Sequence, residues 1–313
     1  MSSAPAIPAS ARRLSPVARV ARSWQLYLLL LPTLLLVFLF QYVPMYGVTI
    51  AFKNFKPALG ILGSDWVGLR HFIRFFESPS FWRLITNTAL LSSYELLVGF
   101  PIPIVLALMM NIVTGRRFKR TVQMVTYAPH FISTVVIVGM LGVFLSKNFG
   151  LANHLIEGLG GERIFFLGQR EWFRSLYVFS GVWQNAGWGT IIYLAALSGI
   201  DPELHEAAVV DGASLWQRMW RIDIPGILPT VVILLILNVG QIMSVGFEKA
   251  FLMQNALNLQ QSEIISTYVY KVGLIDARFS FSSAVGLFNT VINFVLLISV
   301  NRAAKLLGQS GLW

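Results

Sequence analysis

A group of seven charged side chains lies in the segment from Asp201 to Pro229, between two long apolar stretches. It contains five carboxylates and two guanidinium groups: Asp201, Glu203, Glu206, Asp211, Asp223, Arg218 and Arg221. Such groups bind partner proteins through charge-assisted hydrogen bonds. A connection between two apolar spans needs only a few polar residues, so the length and charge of this segment predict that it docks onto something.

Local signals predict a first short helix directly after Asp201. Asp201 suits the N-cap position, and Pro202 suits the first helical position, where a missing N–H costs nothing. Glu203 falls in the first turn, on the favourable side of the helix dipole. The dipeptide Asp211-Gly212 predicts the end of the helix, because glycine accepts the left-handed conformation common just past a helix.

A second helix is predicted from Ser214, because Ser214 and Gln217 have the spacing of a capping box. Three apolar side chains follow at helical spacing and predict one apolar face: Trp216, Met219 and Trp220. Pro225 and Pro229 predict that this helix ends before the next apolar span begins.

This segment resembles the EAA motif of the permease subunits of binding-protein-dependent ABC importers. The matching residues are Glu206, Ala207, Ala208, Asp211, Gly212, Ala213, Ser214, Trp216, Gln217, Arg221, Ile222 and Pro225. Met219-Trp220 replace a Phe pair, and Ile224 replaces Leu. The resemblance implies a coupling helix that inserts into a groove of a cytoplasmic ATPase subunit, whereas the alternative is a solvated connection. The ATPase-coupling residues it implies are Glu206, Ala207, Ala208, Asp211, Gly212, Ala213, Trp216 and Trp220.

Composition places the chain in a membrane. Of its 313 residues, 56% are hydrophobic and 12% are charged, against about 25% charged residues in soluble domains. The net charge of +10 does not indicate nucleic-acid binding, because no basic helix or aromatic RNA motif accompanies it. Lysines and arginines at the ends of membrane spans instead anchor and orient a protein.

The sequence predicts neither an enzyme nor a metal protein. There is no cysteine, and the four histidines are scattered without H-E-x-x-H or comparable spacing. No G-x-x-x-x-G-K-[ST] loop is present, so we expect any ATP and Mg to bind to partner subunits rather than to this chain.

The predicted fold class is an all-α integral membrane protein with six transmembrane helices. The apolar stretches that predict them are residues 24–46, 86–112, 121–145, 174–198, 227–247 and 283–304. Each is long enough for the roughly 20 residues that a bilayer requires. The first is too long for the apolar core of a signal peptide, which has about 7–15 residues. Residues 1–23 are predicted to be a disordered tail.

Charge position, rather than charge number, predicts the orientation. Twelve of the 24 lysines and arginines fall on each side of the membrane by these boundaries. The residues that crowd short segments next to spans are Arg12, Arg13, Arg19, Arg22, Arg116, Arg117, Lys119, Arg120, Arg302 and Lys305. They predict that both termini and the segment from Asp201 are cytoplasmic, with residues 47–85, 146–173 and 248–282 outside.

Further stretches, from about residue 40 to the end, resemble the oligosaccharide branch (LplB/MalF type) of sugar importer permeases. They are Tyr42–Gly47, Trp66–Leu69, Ala128–Ser133, Trp183–Leu194, Ser244–Lys249, Ser266–Tyr270, Ala284–Asn289 and Gly311–Trp313. The resemblance implies a type I importer permease domain over residues 24–313, with the EAA loop at 201–225. It also implies a homologous second permease, two ATPase subunits and a periplasmic or extracellular solute-binding protein. A polyuronide importer, such as one for alginate, is one candidate.

Polar and aromatic residues within the spans are candidates for the substrate path, since polar groups at membrane depth usually face a cavity or another helix. They are Tyr94, Trp183, Gln184, Asn185, Trp188, Asn238, Gln241, Asn289 and Asn293. Aromatic rings can stack on the C–H face of a sugar, and amides can meet its hydroxyls. The alternative is that amides join helices and aromatic residues mark the membrane interface.

Isolated charges leave alternatives open. Glu95 stands alone in its span, where it could form an ion pair, lie near the outer interface or relay protons. Lys249, Lys271 and Arg278 lie in a predicted outer segment. They could attract an acidic sugar or a binding protein, or simply be solvated.

The sequence thus favours the permease subunit of an ATP-driven oligosaccharide importer in the bacterial cytoplasmic membrane, working by alternating access. A proton- or ion-coupled secondary transporter is the first rival, but it would require paired acids within the spans. A scaffold protein without a translocation path is the second rival. A membrane enzyme lacks a catalytic cluster.

Overall fold

The computed structural model describes residues 23–308, 311 and 312, which are mostly helical. The tail predicted for residues 1–23 lies, apart from Ser23, outside the described residues. The first nine α-helices are α1 (Trp24–Val37), α2 (Val43–Met45), α3 (Gly60–Gly63), α4 (Arg70–Phe76), α5 (Phe81–Gly99), α6 (Pro101–Ile112), α7 (Arg116–Tyr127), α8 (Thr134–Phe144) and α9 (Leu151–Gly158). A two-residue antiparallel ladder joins β1 (Lys53–Asn54) to β2 (Asp65–Trp66), with Lys53 opposite Trp66.

The second half of the described chain continues the helical pattern. Its helices are α10 (Arg170–Ser198), α11 (Pro202–Val210), α12 (Leu215–Arg218), α13 (Ile224–Val239), α14 (Phe247–Met253), α15 (Leu259–Ser262), α16 (Ile265–Tyr270) and α17 (Phe279–Leu306). Short turns of 3₁₀- or π-helix extend several helices: Phe38–Tyr42, Tyr46–Phe52, Ala128–Phe131, Met219–Asp223 and Lys271–Ile275.

Several helical stretches have the length and hydropathy to cross a membrane. Within the described residues, four are continuous: Trp24–Phe52, Phe81–Ile112, Leu215–Val239 and Phe279–Leu306. A bent pair, Arg116–Phe131 with Thr134–Phe144, is a fifth candidate. The predicted all-α membrane protein is therefore confirmed, whereas the count of six spans stays a prediction. Helix α10, with 29 residues, is about 43 Å long, which also exceeds the hydrocarbon thickness.

The stretch predicted as a span at 121–145 is bent, because the helix breaks inside it. Helices α7 and α8 meet at an angle of 98°. Pro129 lies in the intervening 3₁₀-turn, where its ring and missing N–H prevent a regular helix. Ser133 then caps α8, since its side chain accepts a hydrogen bond from the Val136 N–H.

Helix α10 joins two of the three buried apolar clusters. Near its start, Phe173 and Tyr177 pack with residues from α5, from α14 and from the segments on either side of α14. Near its end it contributes to the coupling-side core, a cluster composed of Ala107, Leu108, Tyr193, Leu197, Met219 and Ile227. The third cluster packs α4, α5, α16 and α17 around Phe75 and Phe281.

Glycines of α10 allow neighbouring helices to approach its backbone. A methyl group at Gly187 would overlap the carbonyl group of Thr126 in α7. A methyl group at Gly189 would lie 3.1 Å from the ring of Pro103 in α6. Small residues serve the same purpose at helix contacts in many membrane proteins, because close backbones gain van der Waals contact.

We therefore expect Gly187→Ala to destabilise the protein by about 1–3 kcal/mol, the usual cost of overpacking. Thermal unfolding of the detergent-solubilised chain would show a lower midpoint. The matched control is Gly286→Ala on α17, where an added methyl group meets no atom within 4 Å. Equal midpoints for the two variants would contradict the close packing of α7 on α10.

Candidate coupling surface and cavity

The first helix of the loop after α10 begins and ends where the sequence predicts. The Asp201 carboxylate accepts a hydrogen bond of 3.0 Å from the Glu203 N–H, and Pro202 is the first residue of α11. Gly212 follows the helix with φ +74°, a conformation that costs other residues energy. The predicted N-cap and glycine stop are confirmed.

The second helix begins as predicted but does not end as predicted. Ser214 and Gln217 form a capping box, with hydrogen bonds of 2.8 and 3.3 Å. The helix then continues from Leu215 to Val239 without a break, so the expected stop at Pro225 and Pro229 is wrong. The π-turn Met219–Asp223 is the reason, because it places Pro225 in the first turn of α13, where proline is tolerated.

The loop exposes apolar side chains as well as charges. Trp216 and Trp220 are 65% and 54% exposed, and their rings contact each other edge to face at 6.0 Å. Met219 instead packs into the coupling-side core, so the predicted single apolar face is wrong: two of its members point outward and one inward. Further exposed apolar residues on this surface are Leu204, Val209, Val210 and Leu215. Exposed apolar patches of this kind mark protein interaction sites.

Of the eight predicted coupling residues, six are exposed and Ala208 and Ala213 are half-buried. A buried contact between this loop and a membrane helix was not predicted from the sequence. The Asp223 carboxylate is buried, and its Oδ1 lies 3.3 Å from both His205 Nε2 and Asn111 Nδ2. A carboxylate within an apolar helix start was a usable signal, because a buried charge requires partners.

A cavity of about 830 Å³ lies between α5, α6, α10 and α13. Four of the nine predicted path residues line it: Asn185, Trp188, Asn238 and Gln241. Among the described residues of its wall, Glu95 is the one with an acidic or basic side chain. The volume falls in the range of small-molecule sites, about 300–1,000 Å³.

The other five predicted path residues have different neighbours. Gln184 donates a 2.8 Å hydrogen bond to the Ile132 carbonyl. The Asn293 side chain accepts from the Met243 N–H at 3.0 Å and donates to the Ser244 hydroxyl at 2.7 Å. The ring of Tyr94 is half-buried and packs against Phe179. The indole of Trp183 is exposed. The amide oxygen of Asn289 is buried and has no hydrogen-bond partner among the described residues.

The indole ring of Trp188 lies at the cavity wall, where two neighbouring aromatic side chains fix its orientation. The His130 ring stacks on it with centroids 4.5 Å apart and planes within 6°. His130 Nδ1 also lies 3.0 Å from Asn185 Oδ1, and Phe131 meets the indole edge to face. In the sequence, His130 belongs to one of the stretches that resemble sugar permeases, but no role was predicted for it. Its hydrogen-bond partner Asn185 is 55 residues away, so the contact could not be inferred from local spacing.

Lys249 is not available to an external ligand, contrary to one of the predicted alternatives. It is 9% exposed and donates a 2.6 Å hydrogen bond to the Tyr177 carbonyl. A Cβ atom at Gly181 would lie 3.1 Å from Lys249 Nζ and 3.8 Å from Glu95 Oε1, so the two opposite charges lie near the same glycine, although they are too far apart for a direct salt bridge. The pairing alternative for Glu95 is the one that this geometry favours.

Lys271 is also engaged within the chain. Its Nζ lies 3.3 Å from Glu263 Oε1, while Arg83 reaches Glu263 Oε2 at 2.8 Å. Arg278 is exposed and precedes α17. Of the three basic residues predicted to attract an acidic ligand, only Arg278 is thus both exposed and without an ion pair in the described part of the chain.

A second cavity, of about 700 Å³, lies in the segment before α5. Its polar lining includes Arg70, His71, Arg74 and Glu77. Burial is the main reason that the pKa of His71 is lowered from its ordinary value, so this imidazole is neutral at pH 7. Within residues 23–308, 311 and 312, no group of three or more histidines and acids has the arrangement of a metal site.

Comparisons with known proteins define the family. Residues 99–310 match the family of binding-protein-dependent transport system inner membrane components. The polygalacturonan/rhamnogalacturonan transport permease YteP of Bacillus subtilis (strain 168) is 48% identical over 288 residues, covering 92% of this chain and 90% of YteP. LplB of the same organism is 44% identical over 300 residues, covering 96% and 94%.

A solved bacterial ABC transporter for import of the acidic polysaccharide alginate has the same fold. One of its chains superposes with a TM-score of 0.85 at 41% identity, covering 92% of this chain and 97% of that one. A second structure, in complex with an alginate pentasaccharide-bound periplasmic protein, gives 0.87 at 40% identity, covering 94% and 98%.

The chain therefore belongs to the binding-protein-dependent transport system inner membrane components. It is an integral membrane permease subunit of an ABC importer with the type I permease fold, and the resemblance inferred from the EAA loop is confirmed.

The cavity residues should affect transport rather than stability. We expect Asn238→Ala to reduce uptake while leaving the thermal midpoint close to that of the wild type, because its amide faces the cavity. Gln184→Leu, which removes a hydrogen bond to the Ile132 carbonyl, should lower the stability by about 1–3 kcal/mol. Uptake and thermal unfolding would be measured for both variants. If Asn238→Ala lowered only the stability while Gln184→Leu lowered only uptake, the substrate path would not run through this cavity.

Lys249 and Glu95 should be energetically coupled. We expect Lys249→Met to destabilise the wild type more than it destabilises Glu95→Gln, because the first leaves a carboxylate without its counter-charge. A double-mutant cycle on thermal or chemical unfolding should give an interaction of about 1 kcal/mol or more. Additive effects would show that Lys249 serves only the Tyr177 carbonyl.

Proposed function

We propose that this chain is the transmembrane permease subunit of an ATP-driven, binding-protein-dependent importer for oligosaccharides, including acidic ones. The observation that supports this proposal best is a continuous helical connection between the EAA loop and the cavity. The exposed EAA loop leads, through one unbroken helix from Leu215 to Val239, to Asn238 in the wall of the cavity. A helix of this kind can deliver a motion of the loop to the place where a substrate would pass.

The expected partners are a homologous second permease, two cytoplasmic ATPase subunits and a periplasmic or extracellular solute-binding protein. ATP and Mg bind to the ATPase subunits. In support, the coupling surface combines apolar and acidic exposed groups, and α1 contains no buried residue, as expected of a helix against lipid or another subunit. The termini and the EAA loop face the cytoplasm, as the arginine-rich segments next to spans indicate.

The mechanism is alternating access without covalent chemistry on this chain. ATP binding closes the two ATPases and displaces the EAA loops. The helices attached to those loops then turn the cavity from the inner to the outer side, where the binding protein releases its sugar. Hydrolysis restores the inward state. The two conformations form an equilibrium that nucleotide and binding protein bias.

The cavity wall suits a carbohydrate. The flat face of Trp188, fixed by His130, can stack on the C–H face of a sugar ring, and three amides can meet hydroxyl groups. Lys249 lies near Glu95 and partly offsets its negative charge, so an acidic chain would meet less repulsion than an isolated carboxylate would cause. The names of YteP and of the alginate transporter support uronate-containing substrates.

The direct test is ATP hydrolysis by the complete transporter in nanodiscs. Glu206→Ala and Gly212→Pro would be compared with the wild type, with and without the binding protein and either oligogalacturonides or alginate pentasaccharide. We expect binding protein with sugar to stimulate the wild type. Both substitutions should dissociate the ATPase or abolish stimulation, since one removes an exposed carboxylate and the other distorts the φ +74° turn.

The matched control for this test is Glu157→Ala. Its carboxylate pairs with Arg163 at 2.7 Å in the segment between α8 and α10, away from the loop. If no ATPase co-purifies with the wild type, and uptake instead collapses with the proton gradient, the importer proposal fails and a secondary transporter takes its place.

A further inference from the structure

The coupling helix is tied to two membrane helices at one buried carboxylate. Asp223 is 4% exposed and ends the π-turn that precedes α13. Its Oδ1 lies 3.3 Å from Nε2 of His205, which stands in the middle of α11. The same atom accepts a hydrogen bond of 3.3 Å from the amide of Asn111, the second-last residue of α6. Three separate helical elements therefore meet at one oxygen atom.

The surroundings of Asp223 make this contact set hard to separate. Met219 and Ile227, on either side of it in sequence, pack into the coupling-side core with Ala107 and Leu197. Leaving a buried carboxylate without its partners is costly, because the charge loses both water and hydrogen bonds. A displacement of α11 that broke the contact to His205 would incur that cost, so the elements favour moving together.

A guanidinium group also lies near Asp223. Arg218 lies five residues earlier, one π-turn away, and its Nε is buried without a hydrogen-bond partner in the described part of the chain. The guanidinium is thus held partly inside rather than fully in solvent. It can offset the carboxylate without replacing the directional contacts to His205 and Asn111.

The two membrane helices tied at Asp223 both reach the cavity. Helix α6 contributes Pro103 to the cavity wall, and α13 contributes Asn238. At 1.5 Å per residue, these positions lie about 12 and 22 Å along their helices from Asn111 and Asp223. A movement of α11 transmitted at this point would therefore shift two walls of the cavity at once.

We propose that Asp223 is a positioning residue for ATP coupling, fastening the coupling helix through His205 to α13 and through Asn111 to α6. This inference rests on the proposed importer function. It adds that the loop acts on the cavity through a specific buried contact as well as through chain continuity. His205 and Asp223 form one link, so the loss of either has the same consequence.

The test measures binding-protein-stimulated ATP hydrolysis relative to basal hydrolysis, together with uptake, in nanodiscs containing the complete transporter. The probes are oligogalacturonides and alginate pentasaccharide. The variants are His205→Leu, His205→Gln, Asp223→Ala and the double variant His205→Leu/Asp223→Ala. His205 is 28% exposed, so its substitutions should fold even where Asp223→Ala does not. Glu157→Ala is the control for loss of a paired carboxylate elsewhere.

We expect His205→Leu to lower the stimulation ratio and uptake by about fivefold or more, the lower range of allosteric couplings, while the ATPase still co-purifies. His205→Gln, which keeps a donor for Asp223, should retain most of the ratio. The double variant should be no worse than the more impaired single variant, because both changes remove one link.

The proposal is overturned if assembled His205→Leu and Asp223→Ala complexes keep the wild-type ratio. It is also overturned if His205→Gln is as impaired as His205→Leu, or if the two substitutions are additive. Failure of the importer function itself looks different, since the wild type would then show no ATPase and no stimulation.

Discussion

Helix α10 is the element on which both the cavity and the coupling loop depend, because its glycines let α6 and α7 pack directly against its backbone. Gly187 and Gly189 leave no room for larger side chains at these contacts. With those helices fixed, Asn185 and Trp188 of α10 face the cavity, and Tyr193 and Leu197 complete the coupling-side core below it. The same helix thus provides part of the cavity wall at its middle and leads into the EAA loop at its end.

Two buried acids and one half-buried acid each lie near a basic side chain from another element: Glu263, Asp223 and Glu95. Glu263 is held by Arg83 and Lys271 between α5 and α16. Glu95 lies near Lys249 beside Gly181 at the cavity, without a direct salt bridge. Since an unpaired buried charge is costly, while a paired one adds little net stability, such pairs serve to specify which helices lie together.

The parts of the fold that local chemistry determines could be predicted from the sequence. Asp201, Gly212 and the Ser214 capping box act within a few residues, and the structure places each as predicted. Pro225 does not end the helix, because the π-turn before it places this proline at a position that tolerates it. The break at Pro129 was not predicted, because the surrounding apolar run has the length of a single span. The direction in which Gln184 or Asn293 points depends on residues 50 or more positions away, which periodicity alone cannot show. Tyr177, the partner of Lys249, and Asn111, one partner of Asp223, are also more than 50 positions away in sequence.

The most direct measurement of the account is the two-sided accessibility of the cavity during the ATP cycle. The chain has no cysteine, so Ile191→Cys places a single reactive thiol in the cavity wall. We expect its modification by an impermeant reagent from the cytoplasmic side to slow by about tenfold or more when the ATPases are trapped with ATP, and its modification from the outer side to accelerate. Equal rates from both sides in both states would contradict alternating access through this cavity.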